Sequence, residues 1–421
     1  MPVSSVFLLP GQGGYTPGLF ADEYPSNPRI REILDTVDRV AAEFSRPGVT
    51  TLLTRTDAPD AAELVRQDPF ALQLAVFAAG AGGCHLAERH GAPDVLVGHS
   101  MGEIAALTVA GAFDLPDGAR LTAQRAEALA AHCPAGGMLA LELSAARTAH
   151  LVGAVDEHGL ALAVTNAPRQ TVVSGPAQAL AAVRKVASAL DVQATPLNAP
   201  YPFHGPMLAV AAQRFAAAVT GIRQQPLRLR VFSPVAAGYV HDDTDLKALL
   251  VRQLTAPVDF LGAVRHLHAD GAERFVECGR AGLSGLVRRT VPSVTTDSTA
   301  SGAASVPRPP AESPAAVEPV PQPVTAPAAA PVTAPFVDAE EVLRELRELY
   351  ASALEYPVEV ITADADLEAD LGIDSLKRAE MVAKVAAHFG LGESAQDGRF
   401  VAQSTLADLA GLVVSAQTHA R

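Results

Sequence analysis

The chain has 421 residues, 49% of them hydrophobic but only 5% aromatic, with no Trp and a formal net charge of −14. That length supports two or three domains around a core filled mainly by Ala, Leu and Val. The acidic balance disfavours nucleic acid as a partner.

The start, MPVSSVFLLPGQGG, lacks the basic region and long apolar run of a signal peptide. No stretch reads as a membrane span of about 20 apolar residues. Three cysteines, Cys84, Cys133 and Cys278, lie far apart without C-x-x-C spacing. That argues against a disulfide framework or a zinc site and suits a reducing cytoplasm.

The N-terminal part, residues 1–290, reads as α/β. SVFLL predicts a strand that runs into the Gly-rich loop PGQGG. DVLVG followed by SMGEIAALTVAGAF predicts strand then helix. LALEL, LALAVTNA and TVVSG predict short strands, and AQALAAVRKVASAL predicts a helix near them. The mixture predicts a hydrolase-like core with a smaller inserted α+β subdomain at about residues 131–199.

From Val291 to Pro335 the composition changes. Eleven of these 45 residues are Pro, and none is Leu, Ile, Met or aromatic. Such a segment buries too little apolar surface to offset its ordering entropy, which predicts a disordered tether. It would span roughly 35–40 Å as a coil and about 140 Å fully extended. Residues 336–421 hold sixteen acidic and seven basic residues and predict a small all-α bundle. In AEEVLRELRELYASAL, Val342, Leu346, Leu349 and Tyr350 share one helical face. A second helix is expected from Ser375 to about Phe389, and a third over TLADLAGLVV.

Gly98-His99-Ser100-Met101-Gly102 fits G-x-S-x-G, the pattern of a nucleophile elbow. The plain alternative is a buried turn with a capping Ser. A Ser hydroxyl is a weak nucleophile near neutral pH and needs a base and donors for the oxyanion. Twelve His are available, and His204 stands out in APYPFHGPML, flanked by Pro and Gly. A solvent-exposed loop residue is the plain alternative there. No Asp or Glu stands out as a third member.

GQGG, GHSMGE, RLTAQRAEAL, NAPRQTVVSG, PFHGPM, FSPVAAG and VRQLTAPVDF occur in this order. In that order they resemble malonyl-CoA:ACP transacylases and the acyltransferase domains of polyketide synthases, over about residues 5–290. The resemblance implies a ferredoxin-like inserted subdomain, Ser100 as nucleophile and His204 as base. It implies that a backbone carbonyl at Gln253 orients the base, and that the backbone N–H groups of Gln12 and Met101 form the oxyanion hole. It also implies that Arg125 forks onto the free carboxylate of a malonyl-type group, a task suited to a planar guanidinium. Malonyl forms resemble HAFH at the base and methylmalonyl forms YASH. Tyr201-Pro202-Phe203-His204 is a hybrid. Phe203 should crowd an α-methyl branch, and Met101 also looks malonyl-like, whereas Tyr201 favours the methylmalonyl alternative. Gly14, Leu74 and the segment CGRAG depart from the family pattern.

LEADLGIDSLKRAEMV places Ser375 at a predicted helix start. An N-cap Ser is the plain alternative. The acidic bundle around Leu-Gly-Ile-Asp-Ser-Leu resembles acyl carrier proteins over about residues 338–417, which implies 4′-phosphopantetheine on Ser375. Together the resemblances imply an acyltransferase tethered to its own carrier. Malonyl-CoA, a phosphopantetheinyl transferase and a ketosynthase or other polyketide or fatty-acid synthase components would be its partners, with no membrane. The alternatives are a methylmalonyl-specific transferase, an acyl hydrolase, a carrier-to-carrier shuttle, and an inert scaffold beside a working carrier.

Overall fold

Apolar runs without polar alternation, such as Val6–Leu9 and Val95–Val97, suit parallel strands covered on both faces. The computed structural model describes residues 3–280, 282–299 and the helix Ala339–Leu354, together with helical positions scattered between 381 and 414. The chain divides into two units, residues 1–311 and 312–421.

In the first unit the described strands are β1 (Ser5–Leu9), β2 (Val95–Gly98), β3 (Gly137–Leu141), β4 (Ala161–Ala167), β5 (Gln170–Gly175), β6 (Ala194–Pro196), β7 (Arg230–Ser233), β8 (Gly238–Val240), β9 (Val258–Asp259), β10 (Arg274–Glu277) and β11 (Thr295–Ser298). The larger sheet has the order β11-β10-β1-β2-β7-β8. Its pairs are parallel except the β7–β8 hairpin. The central strands β1 and β2 are buried almost throughout.

The second sheet has the order β6-β3-β5-β4-β9. Its first four strands pair antiparallel and alternate with the helices Ala145–Val155 and Ala177–Ala189. That is the βαββαβ arrangement of a ferredoxin-like layer. β9 adds to it in parallel against Val164 and Thr165, tying this sheet to the rest of the unit.

Two expectations are corrected. The tether was expected to begin at Val291, yet Val291 and Val294 are buried and β11 pairs with β10 across Arg274–Glu277. Thr295–Ser298 is polar, but as an edge strand it is held by backbone bonds rather than by apolar side chains. No stretch was expected to be apolar enough to span a membrane. Pro69–His90 is long and apolar enough, and 89% of its window is buried inside the protein. Its helix, Pro69–Ala87, is capped by Asp68, whose side chain accepts from Ala71 N–H at 3.0 Å. A helix apolar all round is a core helix when other elements enclose it. This one packs against β1 and the helices Pro28–Glu43, Gly102–Val109 and Leu115–His132.

In the second unit, Val342, Leu346 and Tyr350 of the helix Ala339–Leu354 are fully buried. They share one core with Met381, Val385, Phe389, Leu406, Leu409 and Val413.

Candidate active site

Ser100 sits between the end of β2 and the helix Gly102–Val109, with φ 54°. A non-glycine residue rarely adopts this left-handed conformation, so its surroundings must hold it there. The flanking glycines allow the close approach. A Cβ on Gly98 would overlap the backbone of Glu103, and one on Gly102 would overlap the carbonyl oxygen of Leu9 in β1. The G-x-S-x-G spacing is therefore a packing requirement of the turn against β1.

His204 lies in the loop after β6, also in the left-handed region at φ 60°. Its Nε2 is 2.7 Å from Ser100 Oγ. Its Nδ1 donates to the carbonyl of Gln253 at 2.8 Å. Gln253 ends the helix Leu246–Gln253, where last-turn carbonyls lack an intrahelical partner. The imidazole fills that vacancy, which fixes its proton on Nδ1 and leaves Nε2 free to accept from Ser100. No carboxylate enters this chain of bonds. Burial, chiefly, with Arg125 and His99 nearby, holds the imidazole down to about 3, so it is neutral near pH 7.

Arg125 projects from the helix Leu115–His132 on the buried face shared with Leu121, Thr122 and Leu129. It is 1% exposed. One terminal nitrogen donates to Gln73 Oε1, and its guanidinium carbon lies 5.2 Å from the centroid of the Phe203 ring. Among the described residues Arg125 Nε and Gln73 Nε2 have no hydrogen-bond partner. Among the described residues no carboxylate forms an ion pair with Arg125. Burial pulls this guanidinium down to about 10, still charged at neutral pH. An unpaired buried cation is costly and its site favours an anion. Tyr201 meets Phe203 edge to face at 5.6 Å.

Gln12 begins the short turn Gln12–Gly14, and Met101 precedes the helix Gly102–Val109. Among the described residues neither N–H donates to a protein group. The loop comes close to the elbow, since a Cβ on Gly11 would lie 2.7 Å from the His99 carbonyl oxygen. Ser375 lies outside the described residues.

Three further groups complete the site. Gln253 Nε2 donates to the Ser100 carbonyl at 2.9 Å and to Glu103 Oε2 at 2.5 Å. Glu103 is 1% exposed, and burial pushes its carboxyl up to about 7. His99 Nε2 donates to Asn166 Oδ1 at 2.8 Å. GHSMGE contains His99 and Glu103 and NAPRQTVVSG contains Asn166, but nothing in those stretches signals the bonds these side chains make.

The fold and site define a mixed α/β protein built around a serine elbow with a histidine partner. Residues 6–310 match the acyl transferase domain family, and residues 344–413 match the phosphopantetheine attachment site family. The chain belongs to the acyl transferase domain family and carries a phosphopantetheine attachment domain after it. Polyketide synthase GfsA of Streptomyces halstedii is 33% identical over 276 residues, covering 65% of this chain and 4% of that protein. The malonyl CoA-acyl carrier protein transacylase of Bacillus subtilis (strain 168) is 29% identical over 290 residues, covering 67% of this chain and 89% of that protein. The acyltransferase domain from module 8 of the salinomycin polyketide synthase superposes with a TM-score of 0.64 at 30% identity, covering 70% of this chain and 71% of that one. The chain spans 4–13% of the length of four curated polyketide synthases that it matches.

Proposed function

We propose that the chain moves a malonyl-type group from coenzyme A through an ester on Ser100 to its own carrier domain. The observation that carries this reading is the continuous chain of bonds from Ser100 Oγ to His204 Nε2 and from His204 Nδ1 to the Gln253 carbonyl.

The thioester donor enters with its free carboxylate on Arg125. There it replaces the missing counterion and takes the unpartnered Nε. His204 removes the hydroxyl proton as Ser100 Oγ attacks the thioester carbonyl. The N–H groups of Gln12 and Met101 hold the developing oxyanion. The thiolate of coenzyme A leaves with the proton from His204, and the acyl group remains on Ser100.

The carrier unit's small shared helical core suits a phosphopantetheine attachment domain, with Ser375 as the attachment residue. When attached, 4′-phosphopantetheine supplies a thiol as acyl acceptor. For that return step His204 is again the base, and Ser100 Oγ is the leaving group, reprotonated by the imidazolium. Arg125 favours a carboxylated acyl group over unselective hydrolysis. Phe203, packed between Arg125 and Tyr201, favours malonyl over methylmalonyl.

The experiment is intact-mass analysis of a Ser375→Ala chain after brief exposure to malonyl-CoA. A malonyl gain that maps to Ser100 and disappears in Ser100→Ala supports the ester. No gain at Ser100 contradicts it.

A further inference from the structure

Glu103 is a buried acid that forms no ion pair among the described residues, and the proposed mechanism does not use it. Burying a carboxyl costs stability that an apolar residue would not. Its bonds do not reach His204. Among the described residues they reach Gln253 Nε2 alone, and Oε1 has no partner.

Among the described residues Gln253 is the one bonded to both reacting partners. Its main-chain carbonyl accepts from His204 Nδ1, and its side-chain nitrogen donates to the Ser100 carbonyl. Ser100 and His204 come from segments 104 residues apart, and both hold left-handed backbone conformations. Such conformations persist only where neighbours enforce them. Glu103 lies on the first turn of the helix that follows the elbow. Its bond to Gln253 therefore closes a small ring: Ser100 carbonyl, Gln253 Nε2, Glu103 Oε2, and back along the chain to Ser100.

We infer that Glu103 is a positioning residue that, through the Gln253 side chain, sets the spacing between Ser100 and His204. The inference rests on the Ser–His chemistry proposed above. It separates two roles an acid could play near a histidine base. Glu103 does not polarise the imidazole, as the acid of a Ser-His-Asp triad does. It braces the residue whose carbonyl does so.

The test reads the nucleophile with phenylmethylsulfonyl fluoride, which needs no malonyl group. Ser100 Oγ forms the bond to sulfur as the S–F bond breaks; fluoride leaves, and His204 takes the hydroxyl proton. The full chain is compared with Glu103→Leu, Glu103→Gln and Gln253→Met by intact mass, alongside kcat and KM for malonyl transfer from malonyl-CoA. Glu103→Leu should slow sulfonylation and lower kcat by about ten-fold or more while KM moves less than about two-fold, since small misplacements of reacting groups act on rate. Glu103→Gln, which keeps an acceptor oxygen, should recover most of the loss. Gln253→Met keeps the main-chain carbonyl but not the brace. It should match the Leu variant, and the double variant should lose no more than either single one.

Wild-type rates in both Glu103→Leu and Gln253→Met would overturn the inference, as would losses that simply multiply in the double variant. If Glu103→Leu fails to fold, Gln253→Met and Glu103→Gln decide: a loss in the first with near-wild-type rate in the second supports the brace, and any other pairing overturns it. A wild-type chain that is sulfonylated at Ser100 but inert to malonyl-CoA would sink the proposed function while the sulfonylation rates still judge the brace. A wild-type Ser100 that does not react overturns both.

Discussion

The guanidinium carbon of Arg125 stands 5.2 Å from the centroid of the Phe203 ring. The same ring lies 6.3 Å, centroid to centroid, from the imidazole of His204. One aromatic side chain therefore lies beside both the cation proposed to hold the substrate carboxylate and the base proposed to activate Ser100. A cation over an aromatic face gains about 0.5–2 kcal/mol. That gain leaves its charge unneutralised, so the pocket retains its preference for an anion.

Arg125→Ala should abolish loading from malonyl-CoA and spare loading from acetyl-CoA. The loss should be about a hundred-fold or more for the carboxylated donor, because the variant removes a charge-assisted contact. Steady-state rates with both donors check this. Equal losses for the two would mean that Arg125 supports the fold rather than the substrate.

Phe203→Ser should relax the choice between malonyl and methylmalonyl donors. Discrimination of one methyl group by pocket shape amounts to about 1–3 kcal/mol, so the ratio of kcat/KM values should move by roughly ten-fold or more toward methylmalonyl. A competition assay with both donors reads the ratio directly. An unchanged ratio would show that Phe203 does not form the wall facing the α-carbon.

Burial shifts His204 and Glu103 so that they pull stability in opposite directions. His204 is held down from 6.5 to about 3, so unfolding takes up a proton between those values and stability rises with pH there. Glu103 is pushed up from 4.5 to about 7, so unfolding releases a proton between those values and stability falls with pH there. Glu103→Gln removes only the second effect. Its melting temperature relative to wild type should climb by on the order of 5 °C between pH 4.5 and 7 and stay level below pH 4.5. Thermal melts across that range check it, and a difference that is flat or falls with pH would contradict a carboxyl raised by burial.

The elbow was legible in the sequence because its needs are local: Gly98 and Gly102 must lack a Cβ where the turn meets Glu103 and Leu9. His204 was legible through its Pro- and Gly-flanked setting together with the family resemblance. Gln253 was reached only through that resemblance, because it serves His204 with a main-chain carbonyl that any residue would possess. Glu103, His99 and Asn166 were missed because their bonds run between distant segments, Glu103 to Gln253 and His99 to Asn166. The core helix Pro69–Ala87 was also missed. Its Ala- and Gly-rich run is buried all round and shows no amphipathic period. β11 was assigned to the tether because its four residues are polar, while its hold on β10 comes from backbone bonds that composition does not display.

The most direct measurement is intact mass of the chain carrying phosphopantetheine, after brief exposure to malonyl-CoA and methylmalonyl-CoA together, in wild type and in Ser100→Ala. A malonyl gain on the Ser375 arm in the wild type, absent from Ser100→Ala, is the predicted result. A methylmalonyl gain would contradict the role given to Phe203. A carrier that gains nothing from either donor, or gains equally without Ser100, would contradict transfer through the Ser100 ester.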